Sequence, residues 1–178
     1  YIDVLERKMC AKEWSKVDYE KVPSQAMLKH GRPECAFMRN DKERFEEYKK
    51  NLSLGKAKIN AKTLFPHELV SSYLSLDESD QIIESQWKEM IEKMRNIGVL
   101  DNVLVLSDVS SSMRGMPMLI SYTMGLLISS LNKSDVFRNK VLTFESVPQL
   151  VDVGGDTLFE QLEKIKRAPW GGSTNICA

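Results

Sequence analysis

Apolar and polar positions divide the chain into two patterns. Up to about residue 98 the apolar residues recur every three or four positions between charged ones, as in amphipathic helices. From residue 103 onward short continuous apolar runs alternate with helical periodicity, which is how βαβ units around a parallel sheet are written. Ile2, Leu5 and Met9 predict a first helix over 1–12. Pro23 after Val22 predicts an extended joint, then a short helix over 25–30 capped by Ser24 and stopped by Gly31 and Pro33. Asn40 or Asp41 should cap a helix through Phe45, Tyr48 and Leu52 that ends at Gly55, with the two aromatics reading as core rather than as a base-stacking platform. Pro66 fits the first turn of the next helix, and Glu68 suits its positive end. The longest helix is predicted from about 78 to 96. Its stripe of Ile82, Ile83, Trp87, Met90, Ile91, Met94 and Ile97 would dock the helical region, residues 1–98, on the sheet region.

The second pattern, residues 99–178, opens on a run expected to be a buried central strand, Val103 to Ser107. Residues 116–131 are apolar nearly all round, predicting a helix buried on most of its faces. A strand over 139–144, an edge strand over 147–153 around Pro148 and an amphipathic helix over 156–167 come next. The fold expected is therefore α/β, a helical N-terminal region followed by a doubly wound parallel sheet. In such sheets ligands sit beyond the carboxyl ends of the strands. There the chain places Asp108, Ser110 and Ser112 at alternate positions, followed by Gly115 and Pro117. One carboxylate and two hydroxyls within five residues are hard oxygen ligands suited to Mg²⁺ or Mn²⁺. The same residues would also serve as a serine-rich turn capping the next helix.

Composition narrows the possibilities. With 25 basic and 25 acidic residues the chain is no polycation, although residues 16–62 carry 12 Lys or Arg against 7 acids and residues 63–101 carry 3 against 8. Cys10, Cys35 and Cys177 are far apart and odd in number, as free thiols of a reducing, intracellular and cytoplasmic compartment would be. No apolar run approaches a membrane span, and the first residues are not a signal peptide, so no membrane partner is expected. The start without Met and the stop at Thr174 to Ala178, just inside an expected helix, suggest a fragment.

The motif Asp108, Ser110, Ser112 after a strand resembles the metal-ion-dependent adhesion site (MIDAS) of von Willebrand factor A (vWA) domains. That resemblance implies a Rossmann-type sheet of which this chain holds the first half. It also implies a second metal motif in which Thr174, after Gly171 and Gly172, joins the site. At full width, WSKVDYEKVPSQAM, FPHELV, SQWKEMIEKM, LSDVSSSMRGMPM, GLLISSL, VLTFESVPQL and WGGSTN resemble an uncharacterised family. That family is a domain of unknown function found in plant, fungal and large-virus proteins, joining a helical region to a vWA-like domain and distantly similar to the Ro ribonucleoprotein (TROVE) architecture. Its usual DVSGSM reads DVSSSM here, so Ser111 replaces a glycine and is expected to strain the turn.

The resemblance implies a non-enzymatic protein-interaction module. Ser110, Ser112 and Thr174 would contact Mg²⁺ (or Mn²⁺) directly, Asp108 through water, and a partner's Asp or Glu would take the open position. A further acidic ligand of vWA domains falls after the chain stops, so the site is expected to bind weakly here. An RNA-associated protein of the Ro type is the alternative, resting on the basic segment. A haloacid-dehalogenase-like phosphatase is a third, but that chemistry wants a second Asp two positions after the first, and Ser110 stands there.

Overall fold

The computed structural model describes residues 4–98, 100–108, 110–144 and 147–168. The chain divides into two compact units, one of Tyr1–Leu64 with Asp80–Glu89, the other of Phe65–Ser79 with Met90–Ala178.

In the first unit α1 (Leu5–Cys10), α2 (Ser24–His30), α3 (Ala36–Asn40) and α4 (Lys42–Ser53) surround an aromatic core. Tyr19, Phe37, Phe45 and Tyr48 pack with ring centroids 5.0–6.1 Å apart, where aromatic quadrupoles attract. Helix α4 ends as its glycine predicts. Gly55 takes φ +67°, and the N–H groups of Gly55 and Lys56 return to the carbonyls of Leu52 and Asn51, closing a Schellman motif. Two expected caps do other work. Asp41 does not cap α4; its carboxylate accepts from the Tyr19 hydroxyl at 2.7 Å and from Arg44 at 2.8 Å. Burial, with that carboxylate beside it, pushes the Tyr19 phenol far above its usual range and keeps it a donor. Ser24 lies inside α2 and shares a 2.6 Å hydrogen bond with Thr63. Both polar side chains found a tertiary partner that outbid a local backbone N–H.

Helix α6 (Gln81–Ile97) starts where Asp80 accepts from the N–H groups of Ile82 and Ile83. Its first half belongs to the first unit, where Ile82 joins the aromatic core, and its second half to the other unit. The expected stripe is buried from Ile82 to Ile91, but Ile97 is 88% exposed, so the apolar face stops short of the helix end. Cys10 and Cys35 are free thiols, and Cys177 lies outside the described residues.

The second unit holds α5 (Pro66–Tyr73), β1 (Val105–Ser107), α7 (Met116–Leu131), β2 (Lys140–Thr143), β3 (Leu150–Asp152) and α8 (Leu158–Lys166). Pro66 and Glu68 start α5 as their types predict, with the Glu68 carboxylate accepting from the Phe65 N–H at 2.7 Å. The sheet order is β1-β2-β3. Strands β1 and β2 run parallel through the α7 crossover, but β2 and β3 are antiparallel. The sheet is thus mixed, not wholly parallel. Only six residues separate Thr143 from Leu150, too few for a crossover, which needs about a dozen.

Among the described residues β2, not β1, is the middle strand, and β1 is shorter than the predicted 103–107. Nor is it buried on both faces. Val105 and Ser107 point into the core, whereas Leu106 is 53% exposed and lies in a row with Leu142 and Leu150 on the opposite face. Helix α7 likewise keeps an open ridge of Met116, Ile120 and Met124, spaced four apart. Its other faces are buried. A Cβ built on Gly125 would meet Ser107 Oγ at 2.5 Å, Ile165 Cδ1 at 3.5 Å and Val141 Cγ2 at 3.6 Å, which puts α7, α8 and the inner sheet face together. Helix α5 covers α7 and α8, with Tyr73 edge-on to Phe159 at 5.4 Å.

Candidate metal centre

The loop between β1 and α7 is ordered from both ends. Ser107 closes β1 with its hydroxyl under α7, donating to the Ser121 carbonyl at 3.4 Å, and its carbonyl accepts from the Phe144 N–H at 3.3 Å. Asp108 comes next, and its Oδ1 accepts from the Ser110 N–H at 2.9 Å, an Asx turn that folds the chain back over the strand end. A single 3₁₀ turn, Ser111–Met113, continues the loop, with the Met113 N–H returned to the Ser110 carbonyl at 2.9 Å. This turn puts the Ser110 and Ser112 hydroxyl oxygens 2.9 Å apart. Ser110 is buried and Ser112 exposed, so the pair faces outward from a fixed inner member. Gly115, at φ +85° and ψ −136°, then turns the chain into α7 through a region that a Cβ disfavours.

Three of the four expected ligands are thereby located at the carboxyl end of β1, and Thr174 lies outside the described residues. The strain expected at Ser111 is not found. The described non-glycine residues with positive φ are Lys12, Glu34, Asn102 and Asn139, and the glycine conformation of this loop is carried by Gly115. Two residues that support the site, Ser107 and Gly125, are not marked by the sequence motif. The signal available was Gly125 itself, a glycine inside a strong helical pattern, which usually marks a close approach.

The donor set fits a small divalent cation in one respect and is sparse in another. Two ligands at about 2.1 Å in adjacent octahedral positions lie about 3 Å apart; the two hydroxyl oxygens stand 2.9 Å apart. The Asp108 carboxylate spends one oxygen on Ser110, and no other hydrogen bond or ion pair engages it among the described residues. It is one negative charge against two positive ones. No group of three His, Cys, Asp or Glu that could hold an ion occurs among the described residues, so hydroxyls make up most of the set.

Residues 1–100 match the model of a domain of unknown function, DUF2828, and residues 102–178 match that of a second, DUF7788. An uncharacterised protein of Acanthamoeba polyphaga mimivirus is 34% identical over 189 aligned residues, covering 99% of this chain and 32% of the relative. The chain therefore spans about a third of the length of that relative. No solved structure matches it. No described helix is long and apolar enough to cross a membrane.

Proposed function

We propose that this chain, which belongs to the family of the domain of unknown function DUF2828, is a non-enzymatic protein-interaction module with a vWA-type divalent-metal site. Ser110 and Ser112 would bind Mg²⁺ or Mn²⁺ directly, Thr174 would complete the protein ligands, and Asp108 would hold the ion through water. The observation that carries this reading is the 2.9 Å separation of the two hydroxyl oxygens beside a carboxylate oxygen that no hydrogen bond engages among the described residues. A bare turn would need the Asx bond but not the paired hydroxyls. One protein carboxylate leaves the ion undercharged, and Mg²⁺ keeps waters where ligands are few. A partner's Asp or Glu is the group that would replace such a water. The phosphatase alternative has less support, since the position of its acid/base is occupied by Ser110, whose hydroxyl is bonded to Ser112.

Titration calorimetry tests the reading. Mg²⁺ should bind weakly alone and more tightly with an acidic peptide present. Ser110→Ala with Ser112→Ala should weaken binding by about 100-fold or more, and Asp108→Ala by about 10–100-fold, the cost of losing an outer-shell partner. Mg²⁺ affinity unchanged in the double variant places the ion elsewhere, and hydrolysis of a phosphate ester abolished by Asp108→Ala replaces the module by an enzyme.

RNA association is a second reading, favoured by one feature of the helical unit. Between Tyr48 and His67 there are five lysines and no acid. In the stretch after α4, Lys56, Lys58 and Lys62 are exposed while Ile59 and Ala61 are buried, so the lysines share the outer side. Binding through such a row should fall steeply with salt, and Lys56→Glu with Lys58→Glu should weaken it for every sequence alike. Salt-independent binding would speak against it.

A further inference from the structure

A second polar feature of the sheet-bearing unit lies at the other end of α7. There the last turn of α6, the end of α7 and the turn after it line a cavity of about 400 Å³, through Arg95, Ser130, Leu131, Asn132, Lys133 and Arg138. Three of these six are cations and none is an acid. Among the described residues no carboxylate lies within ion-pair distance of Arg95, Lys133 or Arg138, although Asp101 and Asp135 are close in sequence.

The simplest explanation would be that the cations answer the negative end of α7. That end amounts to about half an elementary charge, and three positive groups exceed it several-fold. Nor are its carbonyls short of donors: Ser129 accepts from the N–H groups of Asn132 and Asn139, and Ser130 accepts from Arg95 at 3.1 Å. Arg138 sits in the next turn, held by its own N–H to the Ser134 carbonyl at 2.8 Å. The floor is rigid. Asn132 is almost fully buried, its amide donating to the Val103 carbonyl and accepting from the Ser134 N–H, and the Lys133 N–H is fixed on the Leu100 carbonyl at 2.9 Å. Two arginines and a lysine thus line one concavity, with no counter-charge among the described residues.

We propose that this cavity binds the phosphate dianion of a small phosphate monoester. Planar guanidinium groups match phosphate oxygens in pairs, and a lysine adds a point charge. The volume lies within the range of small-molecule pockets, about 300–1,000 Å³, leaving room for an organic group beyond the phosphate. The proposal is independent of the metal site, and the test keeps the two apart by including a chelator.

The chain is titrated at constant low ionic strength, with EDTA, against inorganic phosphate, AMP and adenosine, followed by calorimetry and amide shifts. Phosphate and AMP should bind saturably, AMP at least as tightly, with shifts at Asn132, Lys133 and Arg138, and adenosine should not bind. Lys133→Gln with Arg138→Gln should weaken AMP and phosphate equally, by roughly tenfold or more, since each loses charge-assisted hydrogen bonds to the phosphate. These two positions are chosen because Arg95 also closes the end of α7, and an unchanged circular dichroism spectrum confirms that the variant is folded. Absence of saturable phosphate and AMP binding overturns the proposal, as does equal affinity in the folded double variant or adenosine binding as tightly as AMP.

Discussion

Phe45→Ala is expected to destabilise the helical unit by about 3–5 kcal/mol, the range for deleting a fully buried aromatic ring. Phe45 is wholly buried, and its ring stands between Tyr19 at 5.0 Å, Phe37 at 5.3 Å and Tyr48 at 6.1 Å. The surroundings have little freedom to collapse into the gap. Tyr19 is tied to Asp41, Tyr48 donates to the Lys58 carbonyl at 2.9 Å, and the Gly31 backbone lies against the ring edge. Since domains are stable by only about 5–15 kcal/mol, this one change should remove a large part of the unit's stability. Urea denaturation followed by far-ultraviolet circular dichroism reads it as a fall in midpoint. Phe65→Ala is the control, because Phe65 is mostly exposed and its loss should move the midpoint little. A loss below about 1 kcal/mol for Phe45→Ala, ordinary for a substitution outside a core, would show that the aromatic cluster is not the core.

The second large effect is expected at Gly125, where the unit has no room for a side chain. A Cβ there would fall 2.5 Å from Ser107 Oγ, well inside van der Waals contact, with Ile165 and Val141 closing the other sides. Valine should cost about 3 kcal/mol, the upper part of the range for overpacking. Alanine should cost less. It gains about 1 kcal/mol of helix propensity over glycine, and the offending atom is a single hydroxyl. Ser107→Ala in the Gly125→Ala background removes that hydroxyl and should recover most of the loss. The two changes should therefore be strongly non-additive in a double-mutant cycle of thermal unfolding. A Gly125→Val chain as stable as the unsubstituted one would mean that α7 does not approach β1 as described. Because Ser107 immediately precedes Asp108, the same valine should also weaken Mg²⁺ binding if the ion sits in the adjoining loop.

Residues whose conformation is decided by their covalent neighbours are the ones legible in the sequence. Helix α7 runs over Met116–Leu131, the residues its apolar run marks, and Gly55 ends α4 through the left-handed turn its type permits. Asp41 and Ser24 have the local pattern of caps, but their partners, Tyr19 and Thr63, lie 22 and 39 residues away. The direction of β3 is readable in principle, from a connection too short for a crossover, yet the alternation of strands and helices around it favours parallel pairing. Of the site, Asp108, Ser110 and Ser112 are marked by type and spacing. The 3₁₀ turn that brings the hydroxyls together is not, since nothing in the residue types of Ser111–Met113 demands it. The Arg95, Lys133 and Arg138 cavity draws on α6 and on the turn after α7, and no local pattern announces it.

Helix α5 has a bearing on how such a chain can be inherited. It falls within residues 1–100, matched by one family model, yet it packs on α7 and α8, which fall within the region matched by the other. A gene rearrangement that cut at the boundary between the two matches would deliver the sheet without the helix that covers it, leaving Leu69, Val70 and Tyr73 on one product and their apolar counterparts on the other. The sheet-bearing product would lose part of its core, whereas the other would keep the core of the helical unit whole. Selection acting on folding would then favour transmission of the two stretches together and in this order, since a break placed before Phe65 instead would separate Ile82 from the aromatic core it joins.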